Sequence, residues 1–242
     1  MKRLCLILLC MVIGVFDASA KTKHRTTSSK KRTHTSTKSK TVHRATRTSS
    51  RNRTLYLMPT VTGGPFSTVV IDAGHGGHDL GGIPQNLIPE KGVALDVSLR
   101  LSNALQRAGI RTVLTRSNDT FIPLNTRVAI ANAHPNAIFV CIHFNSGLRR
   151  DARGIETYYN SYSTIPLANR IQRRLMGTTT GENRGVKHAN YYVLRNNRLR
   201  AVLAECGFLT NPTDTALARR ASYRQTLAEQ IAAAIIEYRN SQ

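Results

Sequence analysis

Three short runs, residues 68–72, 137–143 and 201–205, are apolar or β-branched at almost every position, not at every second one. A strand with one wet face alternates apolar and polar residues. An unbroken run therefore needs cover on both faces, which a parallel sheet flanked by helices supplies. The intervening segments carry helical spacing. Val93, Val97, Leu101 and Leu105 recur through residues 90–108 before Gly109, and Pro123 opens a second helix over 124–133 that His134-Pro135 ends. Further helices are expected over 164–176 and 223–239, and further strands over 111–115, 154–160 and 191–194. The expected fold is α/β: a single domain with a twisted, mostly parallel sheet of about six strands and helices on both faces.

The first 53 residues are not expected to join that domain. Lys2 and Arg3, an apolar stretch over 4–16 and the small residues Ala18-Ser19-Ala20 predict a signal peptide over 1–20. Residues 21–53 hold 12 Lys and Arg and no acid, with almost nothing apolar, and predict a disordered basic tail. Residues 54–242 carry 21 Lys and Arg against 12 Asp and Glu, so most of the net charge of +22 lies outside the expected domain. Such a tail suits an anionic lipid surface or wall polymer and gives no specific nucleic-acid recognition. Ser28-Ser29-Lys30-Lys31 matches a Ser-x-x-Lys pattern, but in a segment that cannot build a site around it. Export implies a periplasmic or secreted protein. Cys141 and Cys206 then remain in the mature chain, too few for a disulfide framework and expected to be buried and free.

The apolar runs end on chemistry. The first leads through Asp72-Ala-Gly to His75, the second closes on His143 followed by Phe144-Asn145, and the third closes on Glu205. In parallel sheets, sites gather where strands end at their carboxyl side. Two histidines and a carboxylate make a three-ligand zinc site with one position open. His75, Glu90 and His143 are the candidate ligands, with Glu205 as the unligated proton acceptor. There is no His-Glu-x-x-His helix, so the ligands must converge through the fold. Locally, Glu90 reads at least as well as an acid favoured by the first turn of its helix. His78, His134 and His188 are expected at the surface or in the core, with a place in the cleft as the alternative for His188. Asp72, Asn145 and Arg195 are candidates for supporting or substrate-contacting roles.

From His75 onward the chain resembles the zinc-dependent N-acetylmuramoyl-L-alanine amidases of bacterial cell-wall remodelling. The resemblance rests on Ile71-Asp72-Ala-Gly-His75-Gly-Gly, Glu90-Lys91, Leu114-Thr-Arg116-x-x-Asp119 with Arg127, and Phe139 to Asn145. It continues in Asn183-Arg184-Gly185-Val-Lys187, Tyr192-Val-Leu-Arg195 and Glu205-Cys-Gly-Phe-Leu-Thr-Asn211-Pro. It implies a phosphorylase/hydrolase-like fold, a Zn2+ cofactor on His75, Glu90 and His143, catalysis by Glu205, and a peptidoglycan or muropeptide substrate cut between N-acetylmuramic acid and L-alanine. A non-catalytic wall-binding protein and a zinc peptidase trimming the stem peptide are the alternatives. Cys141, Phe144 and Leu80-Gly81-Gly82 depart from the family's usual residues, with altered pocket shape as the expected effect. The short segment between Gly147 and Gly185 leaves little room for a helix that blocks the site. No activator is identifiable from the sequence, and a monomer is expected.

Overall fold

The computed structural model describes residues 66–82 and 88–242. The expected signal peptide and basic tail lie outside them. The elements in chain order are β1 (Thr68–Ala73), α1 (Glu90–Arg107), β2 (Arg111–Leu114), α2 (Leu124–Asn132), β3 (Ala137–Asn145), β4 (Ile155–Tyr159), α3 (Ile165–Met176), β5 (Asn183–His188), α4 (Tyr192–Arg195), β6 (Arg200–Phe208), α5 (Pro212–Ala218) and α6 (Ala221–Asn240). The strands form one sheet in the order β2-β1-β3-β6-β4-β5. β2, β1, β3 and β6 run parallel, whereas β4 joins β6 antiparallel and carries β5 parallel to itself.

The unbroken apolar runs have the expected cause. Side chains on a strand alternate between faces, and both faces here are covered. Ile71, Ile138, Val140, Ile142, Val202 and Ala204 enter a large core with the buried sides of α1, α3 and α6. Val70, Phe139, Cys141 and Leu203 face the other way, into a smaller core closed by Val128 and Ala131 of α2 and by Val193 and Leu194 of α4. The same period of two carries His143 and Glu205 onto the smaller-core side, at the carboxyl ends of their strands.

Two expectations are corrected. Residues 191–194, expected as a strand, form the helical turn α4. A four-residue apolar patch carries no periodicity with which to choose, and burial against the sheet face decides for the helix. The sixth strand is instead β5, Asn-Arg-Gly-Val-Lys-His, whose polar sequence suits an exposed sheet edge. Helix α5 was also not expected. Asn211 caps it by accepting from the backbone N–H groups of Thr213 and Asp214. Helix α3, in the segment after β4, buries Leu167, Ala168, Ile171 and Leu175 in the large core, so it does not lie across the strand ends. Among the described residues no helix is long and apolar enough to cross a membrane. Cys141 and Cys206 are both free and buried.

Candidate metal centre and active site

His75 sits just past the end of β1, in a turn whose backbone takes it to φ 60, a conformation that disfavours a non-glycine residue. Two buried arginines hold it there. Arg127 donates to the carbonyls of Ala73 at 2.6 Å and His75 at 2.7 Å, and pairs with Asp72 Oδ1 at 2.8 Å. Arg116 donates to the carbonyls of Ala73 at 2.9 Å and Gly74 at 2.6 Å, and to that of Lys91 just inside α1. The Thr115 hydroxyl and Cys141 thiol also donate to Asp72. Asp72 thus anchors the turn. The clamp ties β1, α1 and the start of α2 to one loop.

Glu90 is the first residue of α1 and is 4 % exposed. Its Oε1 accepts from the backbone N–H of Phe144 at 3.0 Å and lies 2.8 Å from His143 Nδ1, and its Oε2 lies 3.1 Å from His75 Nε2. His75 Nδ1 is 2.9 Å from Asp79, a carboxylate that fixes the ring's orientation. Burial works to raise the Glu90 carboxyl, but the hydrogen bonds from His143 and His75 win and hold it well below the usual carboxylate range. For His75, burial lowers and the bonds to Glu90 and Asp79 raise, with a net shift upward.

Close backbone approach makes this packing possible. A Cβ on Gly74 would stand 2.4 Å from the His143 ring, and one on Gly81, at φ 74, would stand 2.6 Å from Glu90. Gly81 therefore leaves space for a ligand side chain. Two departures, Phe144 and Cys141, act differently from expectation. The Phe144 ring points into the large core, away from the site, and its effect is through the N–H given to Glu90. Cys141 serves Asp72.

Donor atoms of His75, Glu90 and His143 all lie within 4.8 Å of one another. Ligands about 2.0–2.2 Å from one tetrahedral zinc stand roughly 3.3 Å apart, so separations of 2.8 and 3.1 Å fit a shared ion after small adjustment. Glu205 is in backbone register with His143 on the neighbouring strand. Its Oε2 is buried with no hydrogen-bond partner among the described residues. Burial, and then the charges of Glu90 and Glu156, push its carboxyl well above the usual range. A buried carboxylate oxygen without a donor is expensive. Beside a His-Glu-His set, a cation and a proton-bearing ligand between them would satisfy it.

The remaining candidates separate. Asn145 lies at the site and donates to Glu156 Oε1 at 2.6 Å. Arg195 does not join it, and instead donates to the Asn190 carbonyl and packs over Tyr192. His188 is exposed and stacks with Tyr162 beside Tyr159, whose register partner Val202 lies three residues before Glu205, so it is not part of the strand-end cluster. His78 packs on Phe121. Asp79 and Glu156 were missed in the sequence. Asp79 stands four residues from His75 in an irregular turn, and Glu156 sits inside a strand, where nothing local marks it.

A doubly covered, mainly parallel sheet with two histidines, a glutamate and a buried acid at its strand ends defines a hydrolase domain with a metal-binding set. The chain belongs to the N-acetylmuramoyl-L-alanine amidase family, whose sequence profile matches residues 69–237. It is 39 % identical over 175 residues to the uncharacterized protein YqiI of Bacillus subtilis, covering 71 % of this chain and 84 % of YqiI. It is 36 % identical over 175 residues to the N-acetylmuramoyl-L-alanine amidase LytC of the same species, covering 71 % of this chain but 35 % of LytC, so it spans about a third of that relative. The catalytic domain of the amidase CwlV from Bacillus (Paenibacillus) polymyxa var. colistinus superposes with a TM-score of 0.70 at 34 % identity, covering 73 % of this chain and 100 % of that one.

Proposed function

We infer that this protein hydrolyses the amide bond between N-acetylmuramic acid and the L-alanine of a peptidoglycan stem peptide, with Zn2+ held by His75, Glu90 and His143 and Glu205 as general base and acid. The observation that carries this reading is the buried, unpartnered Glu205 oxygen in register with a histidine of the cluster. When bound, zinc supplies a Lewis acid that polarises the scissile carbonyl and acidifies a water. The protein residues do the rest. Glu90 remains ionised, and so contributes negative charge to the ligand set. Asp79 holds the His75 ring so that Nε2 faces inward. Glu205 accepts the proton of the attacking water at its free oxygen and passes it to the departing alanine nitrogen.

The region before the domain fits export followed by retention at an anionic wall through residues 21–53. Domain boundaries at 1–20, 21–53 and 54–242 belong to the same proposal. The test is mass spectrometry of products from purified peptidoglycan incubated with the zinc-loaded protein. Stem peptides bearing a free L-alanine amino group support the reading. Shortened peptides still attached to glycan would replace it with a stem-peptide peptidase. Binding without products would favour a wall-binding role.

A further inference from the structure

Glu156 is a buried carboxylate at the edge of the site to which the chemistry above gives no task. It lies in β4, its backbone in register with Glu205, and Tyr158 shares its face. Four donors converge on it. Asn145 Nδ2 and the Tyr158 hydroxyl reach Oε1, each at 2.6 Å, while Arg184 Nε at 3.2 Å and the Lys187 ammonium reach Oε2. Lys187 is the nearer of its two cations, and Arg184 is shared with Glu182.

Its placement is specific. Lys187 pairs in register with Tyr158 on the sheet's edge strand, and its side chain is 40 % exposed while Glu156 is 4 % exposed. An ammonium has three donors, and Glu156 takes one of Lys187's. Gly185, the register partner of Glu156, leaves the neighbouring space open, since a Cβ there would meet nothing within 4 Å. Arg184 is otherwise engaged, by Glu182 at 2.9 Å and by the Phe208 ring beneath it. The buried acid thus holds one cation, with donors to spare, at an opening beside Glu205.

We propose that Lys187 is a specificity residue that binds a carboxylate on the second residue of the peptide leaving group, with Glu156 as its positioning residue. This rests on the amidase reading above. The dimensions agree. Strands lie about 4.8 Å apart, which puts Glu156, two strands from His143, roughly 10 Å from the cluster. An extended peptide advances at most about 3.5 Å per residue, so a carboxylate on its second residue begins roughly 7 Å from the scissile bond and covers the rest with its own reach.

Two N-acetylmuramoyl tripeptides, differing only in whether the second residue's carboxyl is free or amidated, test this with the zinc-loaded protein. The wild type is expected to favour the free carboxylate by about 10–100-fold in kcat/KM, the span of one charge-assisted hydrogen bond. In Lys187→Met that ratio should fall to near one through KM, and Lys187→Arg should retain most of it. A wild-type ratio near one, or an unchanged ratio in Lys187→Met, overturns the proposal. If neither compound is cleaved, the amidase reading fails separately. Calorimetric binding of the two free peptides then decides, and equal affinities for wild type and Lys187→Met refute the contact.

Discussion

At the scale of the residue, Glu205 concentrates the functional argument, because its environment opposes its charge. Its carboxyl is raised above the ordinary 4.5 by burial and by Glu90 and Glu156. An acid with a raised folded-state pKa contributes stability below its unfolded value and loses it as pH rises through the folded one. Metal-free Glu205→Gln should therefore be more stable than the wild type at neutral pH, with the gap closing as pH falls toward about 4.5. Thermal denaturation across pH measures this. A variant less stable at every pH would show that the carboxylate is satisfied in the fold. With zinc bound, the same substitution should lower kcat about 10²–10⁴-fold while leaving the bound metal in place. His75, His143 and Glu205 were legible as candidates, since each closes or follows an apolar run, whereas Glu90 reads locally as a first-turn helix acid and entered through the family resemblance. Asp79 and Glu156 were not legible, because their partners are brought to them by a turn and by the pairings of β4 with β5 and β6, which leave no periodic trace.

At the scale of the element, the turn after β1 depends on what lies behind it. Arg127 and Asp72 are 3 % and 1 % exposed, and the arginine also holds two carbonyls of the strained segment. Removing one partner of a buried pair leaves an uncompensated charge. Arg127→Met should thus cost about 3–5 kcal/mol in denaturant unfolding. It should also weaken zinc about 10–100-fold by freeing the backbone of His75. Normal zinc affinity in a destabilised variant would separate the clamp from the metal set. Helix α5 offers a smaller case: Asn211→Ala should cost about 1 kcal/mol through the lost cap, read by the same unfolding curves. The Asn-Pro-Thr-Asp start of α5 carried a readable cap-and-proline signature, overshadowed by the Glu205 motif it follows. The exchange of β5 for residues 191–194 had a different origin. Local apolarity pointed to the wrong segment, and only the sheet's need for an outer strand beside β4 selects the polar one.

At the scale of the molecule, the division between the described domain and the basic segment before it makes a separable prediction. A chain lacking residues 1–53 should cleave soluble muropeptides at the wild-type rate, yet co-sediment less with purified wall at low salt. That difference should vanish as salt rises. Equal sedimentation at all salt concentrations would remove the tail from wall attachment. The α/β plan was visible because both faces of β1, β3 and β6 are covered, which writes burial directly into the sequence. The antiparallel entry of β4 was not visible, since a five-residue strand carries no mark of its direction. That entry sets Glu156 beside Glu205, so the least legible feature of the sheet borders the most legible residue.

In the proposed function, one metal on His75, Glu90 and His143 works with Glu205 to cut a wall amide. Titrating metal-stripped protein with zinc, while following bound metal and released stem peptide together, addresses it directly. Release should rise in proportion to zinc and level off at one ion per chain, and His143→Ala should neither take up that ion nor release peptide. Full peptide release by stripped protein in excess chelator would contradict it.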